Sequence, residues 1–284
     1  MKLQFIKSRA CICGNNEYLT LCEIEGFDSK FINKIDFSVV KCCNCGLART
    51  YPPPFINDET ADVHISSTEY YSVLKDKESY IDPAERIIKA IRRRKRSGTL
   101  LDIGCGVGIL LEVANKKYGY QGVGLEINHE AAEYGKEKLG VKIISGSIRD
   151  VLAENNKFDI VVLSHILEHI VEPIKFLEMT RQVLKSSGII AVEVPDFRGF
   201  IPQVLTIRGK YWYGFQPTQH VWQFTHVTLE DILKKAGFMI LDTYRNKNLN
   251  HRFNNDLKGS LSRFVYSLAA RLSLGDRILV IGTI

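Results

Sequence analysis

Leu100-Leu-Asp-Ile-Gly-Cys-Gly-Val-Gly108 decides the fold of this chain. An apolar run ends in an acid and three alternate glycines, which reads as a buried strand breaking into a tight turn that opens a helix. Glycines allow the sharp turn and let a ligand come close to the backbone, where a Cβ would collide with it. One strand-helix-strand unit further on, Gly122-Val-Gly-Leu-Glu126 reads as a second strand that also ends in an acid. In a dinucleotide-binding turn the third glycine stands three residues after the second, beside a pyrophosphate; here that position is Ile109. Asp102 would repel a phosphate and suits a cationic amino-acid group, while Glu126 suits a ribose diol.

Outward from this turn, strands and helices alternate. The pattern predicts strands at 99–104, 121–126, 141–145, 158–164, 188–194 and 238–244, with Gly275–Gly282 as a last strand. Helices are predicted at 108–118, 129–139, 172–185 and 228–236, the last capped by Thr228 and Asp231. Such alternation gives an α/β fold, a doubly wound, mostly parallel seven-stranded sheet covered on both faces, with ligands at the carboxyl ends of the strands. An earlier helix is expected to begin with Asp82 as N-cap, Pro83 at its first position and Glu85 in the capping-box place. Its end carries Arg92-Arg-Arg-Lys-Arg96, where cations complement the helix dipole, so a solvated helix end is favoured over a phosphate-binding patch.

The chain resembles the class I S-adenosylmethionine-dependent methyltransferases. The resemblance is carried by the glycine turn, by Phe158-Asp-Ile-Val-Val-Leu-Ser-His-Ile-Leu-Glu-His169, by Gly209-Lys-Tyr-Trp-Tyr-Gly214 and by His220-Val-Trp-Gln-Phe-Thr225. With Cys42-Cys-Asn-Cys-Gly-Leu47 and Tyr51-Pro-Pro-Pro54, it looks most similar to bacterial enzymes with an N-terminal zinc-ribbon-like segment from sugar, polysaccharide and secondary-metabolite pathways. The resemblance implies a site for S-adenosylmethionine lined by Asp102, Gly104, Cys105, Gly106, Gly108, Glu126, Ile127, Ser147, Ile148 and Ser164. Ser147 and Ile148 would sit beside the adenine. The division that follows is a ribbon-like segment over 1–50, a linker and helical cap over the cofactor at 51–97, and the methyltransferase domain over 98–284. That last domain carries a lid insertion at 196–227 and a helical insertion at 246–274.

A chain of 284 residues, 45% of them hydrophobic, buries one full core and carries a small appendage. Neither a signal peptide nor an apolar stretch of bilayer-spanning length is read, and the cytoplasm is the expected location. Six of the seven cysteines fall in the first 45 residues, which favours a metal over disulfides. Cys11, Cys13, Cys42 and Cys45 would hold a closed, structural Zn²⁺, with an alternating hairpin pattern between the two pairs. Cys11 and Cys13 are one residue apart where a ribbon turn has two, so a degenerate ribbon with free thiols is the alternative, and Cys22 or Cys43 could replace one ligand.

Methyl transfer from a sulfonium needs an aligned nucleophile and, for a hydroxyl acceptor, a base. The candidates are His165, at the end of the fourth strand, and His220, in the insertion. Trp212, Tyr213, Gln216 and His169 are the candidate acceptor contacts, His169 also reading as a packing histidine. Tyr70 and Tyr71 line the cleft or pack the core, and Leu261, Phe264, Val265, Leu268, Ala269 and Leu272 read as a core helix, with a homodimer contact or association with a membrane surface as alternatives. The expected acceptor is a small, sugar-like molecule rather than nucleic acid. Base amino methylation usually uses an Asn/Asp-Pro-Pro-aromatic turn where this chain has Leu163-Ser-His-Ile-Leu-Glu168, and no cysteine follows Cys105 to attack a pyrimidine. An RNA methyltransferase acting on ribose and a non-catalytic cofactor-binding partner subunit are the alternatives.

Overall fold

The computed structural model describes residues 5–7, 10–29, 32–53, 76–199, 216–246 and 275–284. Trp212, Tyr213, Tyr70, Tyr71 and the helical pattern of 261–272 lie outside the described residues.

Seven strands form the central sheet: β5 (Thr99–Ile103), β6 (Gln121–Glu126), β7 (Lys142–Ser145), β8 (Phe158–Ser164), β9 (Leu184–Pro195), β11 (Met239–Asn246) and β12 (Arg277–Thr283). Their order is β11-β12-β9-β8-β5-β6-β7. Pairs among β5 to β9 are parallel, whereas β12 runs antiparallel to both β9 and β11. The order turns outward in both directions from β5 and β8, so a crevice opens at their carboxyl ends, where ligands of such sheets bind. Leu100, Leu101, Val161, Leu163, Val192 and Val280 are all buried, as expected of strands covered on both faces.

Helices α1 (Glu78–Arg92), α2 (Ile109–Tyr118), α3 (His129–Leu139), α4 (Ile148–Ala153), α5 (Pro173–Gln182) and α6 (His226–Lys235) connect or cover the strands. The first corrects the sequence reading. It starts at Glu78, with Pro83 inside it rather than at its first position. Near the amino end the proline forfeits only one intrahelical bond, and the apolar face Ala84, Ile87, Ile88 and Ile91 is buried against α2 and the sheet. Glu85 is no capping-box residue. It pairs with Lys89 and Lys117, which hold its carboxyl down at about 2. The basic run is a solvated helix end, with Arg93, Arg94 and Arg96 exposed, and it also makes contacts within the chain: Arg94 makes a two-pronged pair with Asp242, Lys95 pairs with Asp159, and Arg92 bonds the carbonyls of Arg96 and Tyr118.

Two further boundaries move. Helix α5 ends at Gln182, not 185, because Leu184 already pairs with Phe158 and draws the chain into β9. Helix α6 is capped by Thr225, whose hydroxyl accepts from the Thr228 N–H while the Thr228 hydroxyl accepts from the Thr225 N–H. Helix α4, unforeseen in the sequence, follows a capping box between Ser147 and Asp150.

The N-terminal residues form a second, antiparallel sheet: β1 (Phe5–Lys7), β2 (Glu17–Ser29), β3 (Ile32–Cys42) and β4 (Ala48–Tyr51). The hairpin expected between the cysteine pairs is β2–β3. Its fifth strand comes from far along the chain. β10 (Trp222–Gln223) pairs with β4, Trp222 opposite Arg49. Tyr18, Cys42 and Leu47 share one apolar core with Val221, Trp222, Phe224 and Leu229.

Candidate active site

The glycine turn leaves β5 with three residues in left-handed backbone: φ is 69° at Gly104, 54° at Gly106 and 83° at Gly108, the N-cap of α2. A Cβ at Gly104 would stand 2.1 Å from Ile166 Cδ1, so the turn and the loop after β8 are in close contact and a side chain there would have to displace that of Ile166. Gly135, in α3, has the carbonyl oxygen of Val107 only 2.5 Å from where its Cβ would be. Helix α3 therefore braces the turn from behind through a glycine to which the sequence reading gave no role.

Both acids stand at strand ends as expected. Asp102 is 3% exposed, and burial together with the charge of Glu126 pushes its carboxyl up to about 8. Burial also raises Glu126, against the pull of the Asn128, Gly106 and Ile127 N–H groups. The Glu126 carboxylate accepts from the Gly106 N–H at 2.8 Å and from the Asn128 N–H at 2.9 Å, clamping the glycine turn to the β6–α3 turn. A carboxylate offers four lone-pair directions, so two remain for a diol. Cys105, in the same turn, has its thiol raised well above the usual range by burial and by Asp102 and Glu126. Ile127 is exposed, Ser164 and Ser147 partly so, and Ile148 is buried.

These residues fit the cofactor that the resemblance implies. A buried acid held protonated by low dielectric and an acid neighbour is an unfavourable arrangement that a cationic amino group would relieve.

Beyond β8 the chain makes a sharp turn. His165 adopts φ 57°, rare for a residue with a side chain, before a 3₁₀ turn at Leu167–His169. Its Nδ1 lies 3.2 Å from Glu168 Oε1 and its Nε2 3.7 Å from Glu193 Oε1. Glu168 and Glu193, each 1% exposed, are site residues that the sequence reading passed over. Their place at a strand end and one turn beyond it was the available signal. Against burial, His165, His169 and His220 hold Glu168 down at about 2, while Arg277 and Arg86 hold Glu193 low. His220 is 4% exposed and touches the His169 ring edge-on at 4.6 Å between centroids. Gln216 is exposed, and its carbonyl accepts from the His220 N–H. The structure thus gathers His165, His169 and His220 around Glu168.

At the other sheet, the four candidate metal ligands converge. Sγ of Cys11 is 3.6 Å from that of Cys45, Sγ of Cys13 is 3.5 Å from that of Cys42, and all four lie within 4.8 Å of one another. Although burial opposes it, N–H groups of Cys45 and Asn44 and the Asn15 amide bring Cys42 down to about 6. This is the thiolate a borderline-soft cation prefers. The quartet is compatible with a zinc ribbon.

A family model described as a methyltransferase domain matches residues 76–243, well over half of the chain. An uncharacterized protein of Methanocaldococcus jannaschii is 31% identical over 114 residues, covering 40% of this chain and 53% of that protein. A ubiquinone biosynthesis O-methyltransferase of Cereibacter sphaeroides is 29% identical over 152 residues, covering 50% of this chain and 61% of that enzyme. The chain thus spans between half and two thirds of the curated relatives it matches. Among solved structures, a SAM-dependent methyltransferase from Archaeoglobus fulgidus superposes with a TM-score of 0.50 at 21% identity, over 70% of this chain and 91% of that one. A chain from the complex of the Haloferax volcanii Trm112 methyltransferase activator with a methyltransferase gives 0.58 at 13% identity, over 80% and 98%. These two likenesses speak to the fold. Family match and sheet order agree: the chain belongs to the methyltransferase-domain family and has the fold of the class I enzymes.

Proposed function

We propose that the enzyme methylates a hydroxyl of a small, sugar-like molecule in surface-polysaccharide or secondary-metabolite synthesis, in the cytoplasm. The observation that carries the small-molecule reading is the fate of the basic run. Arg92, Arg94 and Lys95 are committed to internal partners, which leaves them poorly placed to grip a phosphate backbone. Support for oxygen as the acceptor atom comes from the relative named as a ubiquinone biosynthesis O-methyltransferase.

In this reading Asp102 binds the cationic amino group of the cofactor and Glu126 the ribose diol. Gly104, Cys105, Gly106 and Gly108 line the bound molecule with backbone, and Ile127, Ser147, Ile148 and Ser164 surround the adenosyl group. The bound cofactor supplies an electrophilic methyl on a sulfonium. His165 takes the acceptor proton on Nε2, which has no hydrogen-bond partner among the described residues, while Glu168 orients the ring through Nδ1. Trp212, Tyr213 and Gln216 are assigned to the acceptor, and His169 takes its packing reading, with Nδ1 against the Gln219 carbonyl. Cys11, Cys13, Cys42 and Cys45 hold a structural zinc in the segment 1–50, which 51–97 joins to the catalytic domain 98–284.

The test is a mass-spectrometric screen for methyl transfer to nucleotide-sugars, phenolic hydroxyls and RNA. Methylated sugar is expected. Methylation of RNA alone would refute the small-molecule reading, and cofactor binding without transfer to any class would favour a partner-subunit role.

A further inference from the structure

Glu168, His169 and His220 make a second ligand cluster, where the turn after β8 meets the chain that leads into β10. One carboxylate oxygen and one ring nitrogen from each histidine lie within 4.8 Å of one another. The carboxylate of Glu168 is almost fully buried. It spends Oε1 on His165, whereas Oε2 has no hydrogen-bond partner among the described residues. A buried carboxylate oxygen left in this way calls for a cation or a proton.

His169 is already oriented for metal. Its Nδ1 lies 3.3 Å from the carbonyl oxygen of Gln219, and since a carbonyl only accepts, Nδ1 carries the proton. Nε2 then keeps the lone pair. A carbonyl behind the ring is the outer contact that fixes the tautomer of metal-binding imidazoles. The turn holding Glu168 and the strand of chain holding His220 are pinned together independently, by the Val221 N–H on the Glu168 carbonyl at 2.9 Å and by Trp222 Nε1 on the Ile170 carbonyl at 2.8 Å.

We propose that Glu168, His169 and His220 bind a divalent cation, with Zn²⁺ the best match to two imidazoles and one carboxylate. Ligand atoms of a tetrahedral zinc are roughly 3.3 Å apart, given bonds of about 2.0–2.2 Å, so the three, which lie within 4.8 Å of one another, draw together by at most about 1.5 Å on binding. Three protein ligands leave a fourth position for a water or hydroxyl oxygen. The ion would tie the turn after β8 to the chain that returns at residues 216–223. It would also satisfy Glu168 Oε2. The inference rests on this cluster alone and not on the identity of the methyl acceptor.

The experiment is zinc-edge X-ray absorption on the full-length protein, loaded with zinc and desalted, with metal content measured by mass spectrometry. Zinc coordinated by nitrogen and oxygen at about 2.0–2.1 Å is expected, distinct from any thiolate-bound zinc at about 2.3 Å. A spectrum with sulfur ligands only, or protein without zinc, would overturn the proposal, and neither result depends on a variant that must fold. Glu168→Gln and His169→Asn should each lose the nitrogen- and oxygen-bound zinc. Its retention in both would assign that ion to other residues and reject the site. A failure here leaves methyl transfer untouched, and a failure of the acceptor screen leaves the zinc spectrum untouched.

Discussion

Asp102 should make cofactor binding expel a proton. In the ligand-free protein its carboxyl sits at about 8, raised from 3.8 by burial and by Glu126, so at neutral pH it is mostly protonated. A cationic amino group beside it favours the carboxylate, and binding therefore releases the proton. The sign follows from that release. Affinity rises with pH while Asp102 is protonated, about tenfold or 1.4 kcal/mol per unit between roughly pH 6 and 7.5, and levels near pH 8, where a free α-amino group begins to deprotonate. The ligand-free fold runs the other way. The unfolded chain ionises this acid near its ordinary value of 3.8 while the native state keeps it protonated to about 8, so the stability it contributes is fully present only in acid and is lost across that window. Titration calorimetry with S-adenosylhomocysteine, in two buffers of different ionisation enthalpy, should show close to one proton released per ligand near pH 6.5. Asp102→Asn should abolish the release, flatten the pH profile and raise the melting temperature of the free protein at pH 7.5. No proton release by the native protein, or the same slope in the Asn variant, would refute the reasoning.

Other outcomes test other parts of the molecule. His165→Ala should lower turnover by about 10²–10⁴-fold with cofactor affinity nearly unchanged, as measured by steady-state kinetics and calorimetry; full turnover would remove it as the base. Gly135→Ala, which in an ordinary helix gains up to about 1 kcal/mol, should destabilise the protein instead, because the Val107 carbonyl occupies the space; a higher melting temperature would contradict that contact. Glu193→Ala removes the buried carboxylate that Arg86 and Arg277 share and should cost about 1.5–3 kcal/mol in denaturant unfolding, and an unchanged midpoint would contradict that role. Chelation of the zinc-loaded protein should lower its melting temperature, and the double variant Cys13→Ser, Cys45→Ser should lose thiolate-bound zinc; identical melting with and without chelator would leave the quartet as free thiols.

The glycine turn and its neighbouring acids were legible because their signals are local. Strand, acid, glycine turn and helix are contiguous, and period and punctuation are written in the order in which they act. Glu126 was readable for the same reason, one strand-helix-strand unit away. Helix α1 was misplaced because a proline-based start signal was weighed above an apolar face that only packing rewards. Glu168 and Glu193 were passed over because a carboxylate between apolar residues acquires meaning only from the groups around it. Here those groups are His165, Arg86 and Arg277, the two arginines contributed from positions 107 residues before and 84 residues after Glu193.

A doubly wound sheet, its glycine turn and the two acids at neighbouring strand ends could be read from sequence alone, since hydrophobic period, glycine freedom and charge act over a few residues. Only the tertiary structure decided that β10 returns to complete the cysteine-bearing sheet, and that three histidines converge on one buried carboxylate. Those arrangements bring together residues far apart in the chain, through backbone pairing and burial whose energy appears only when the chain has closed on itself.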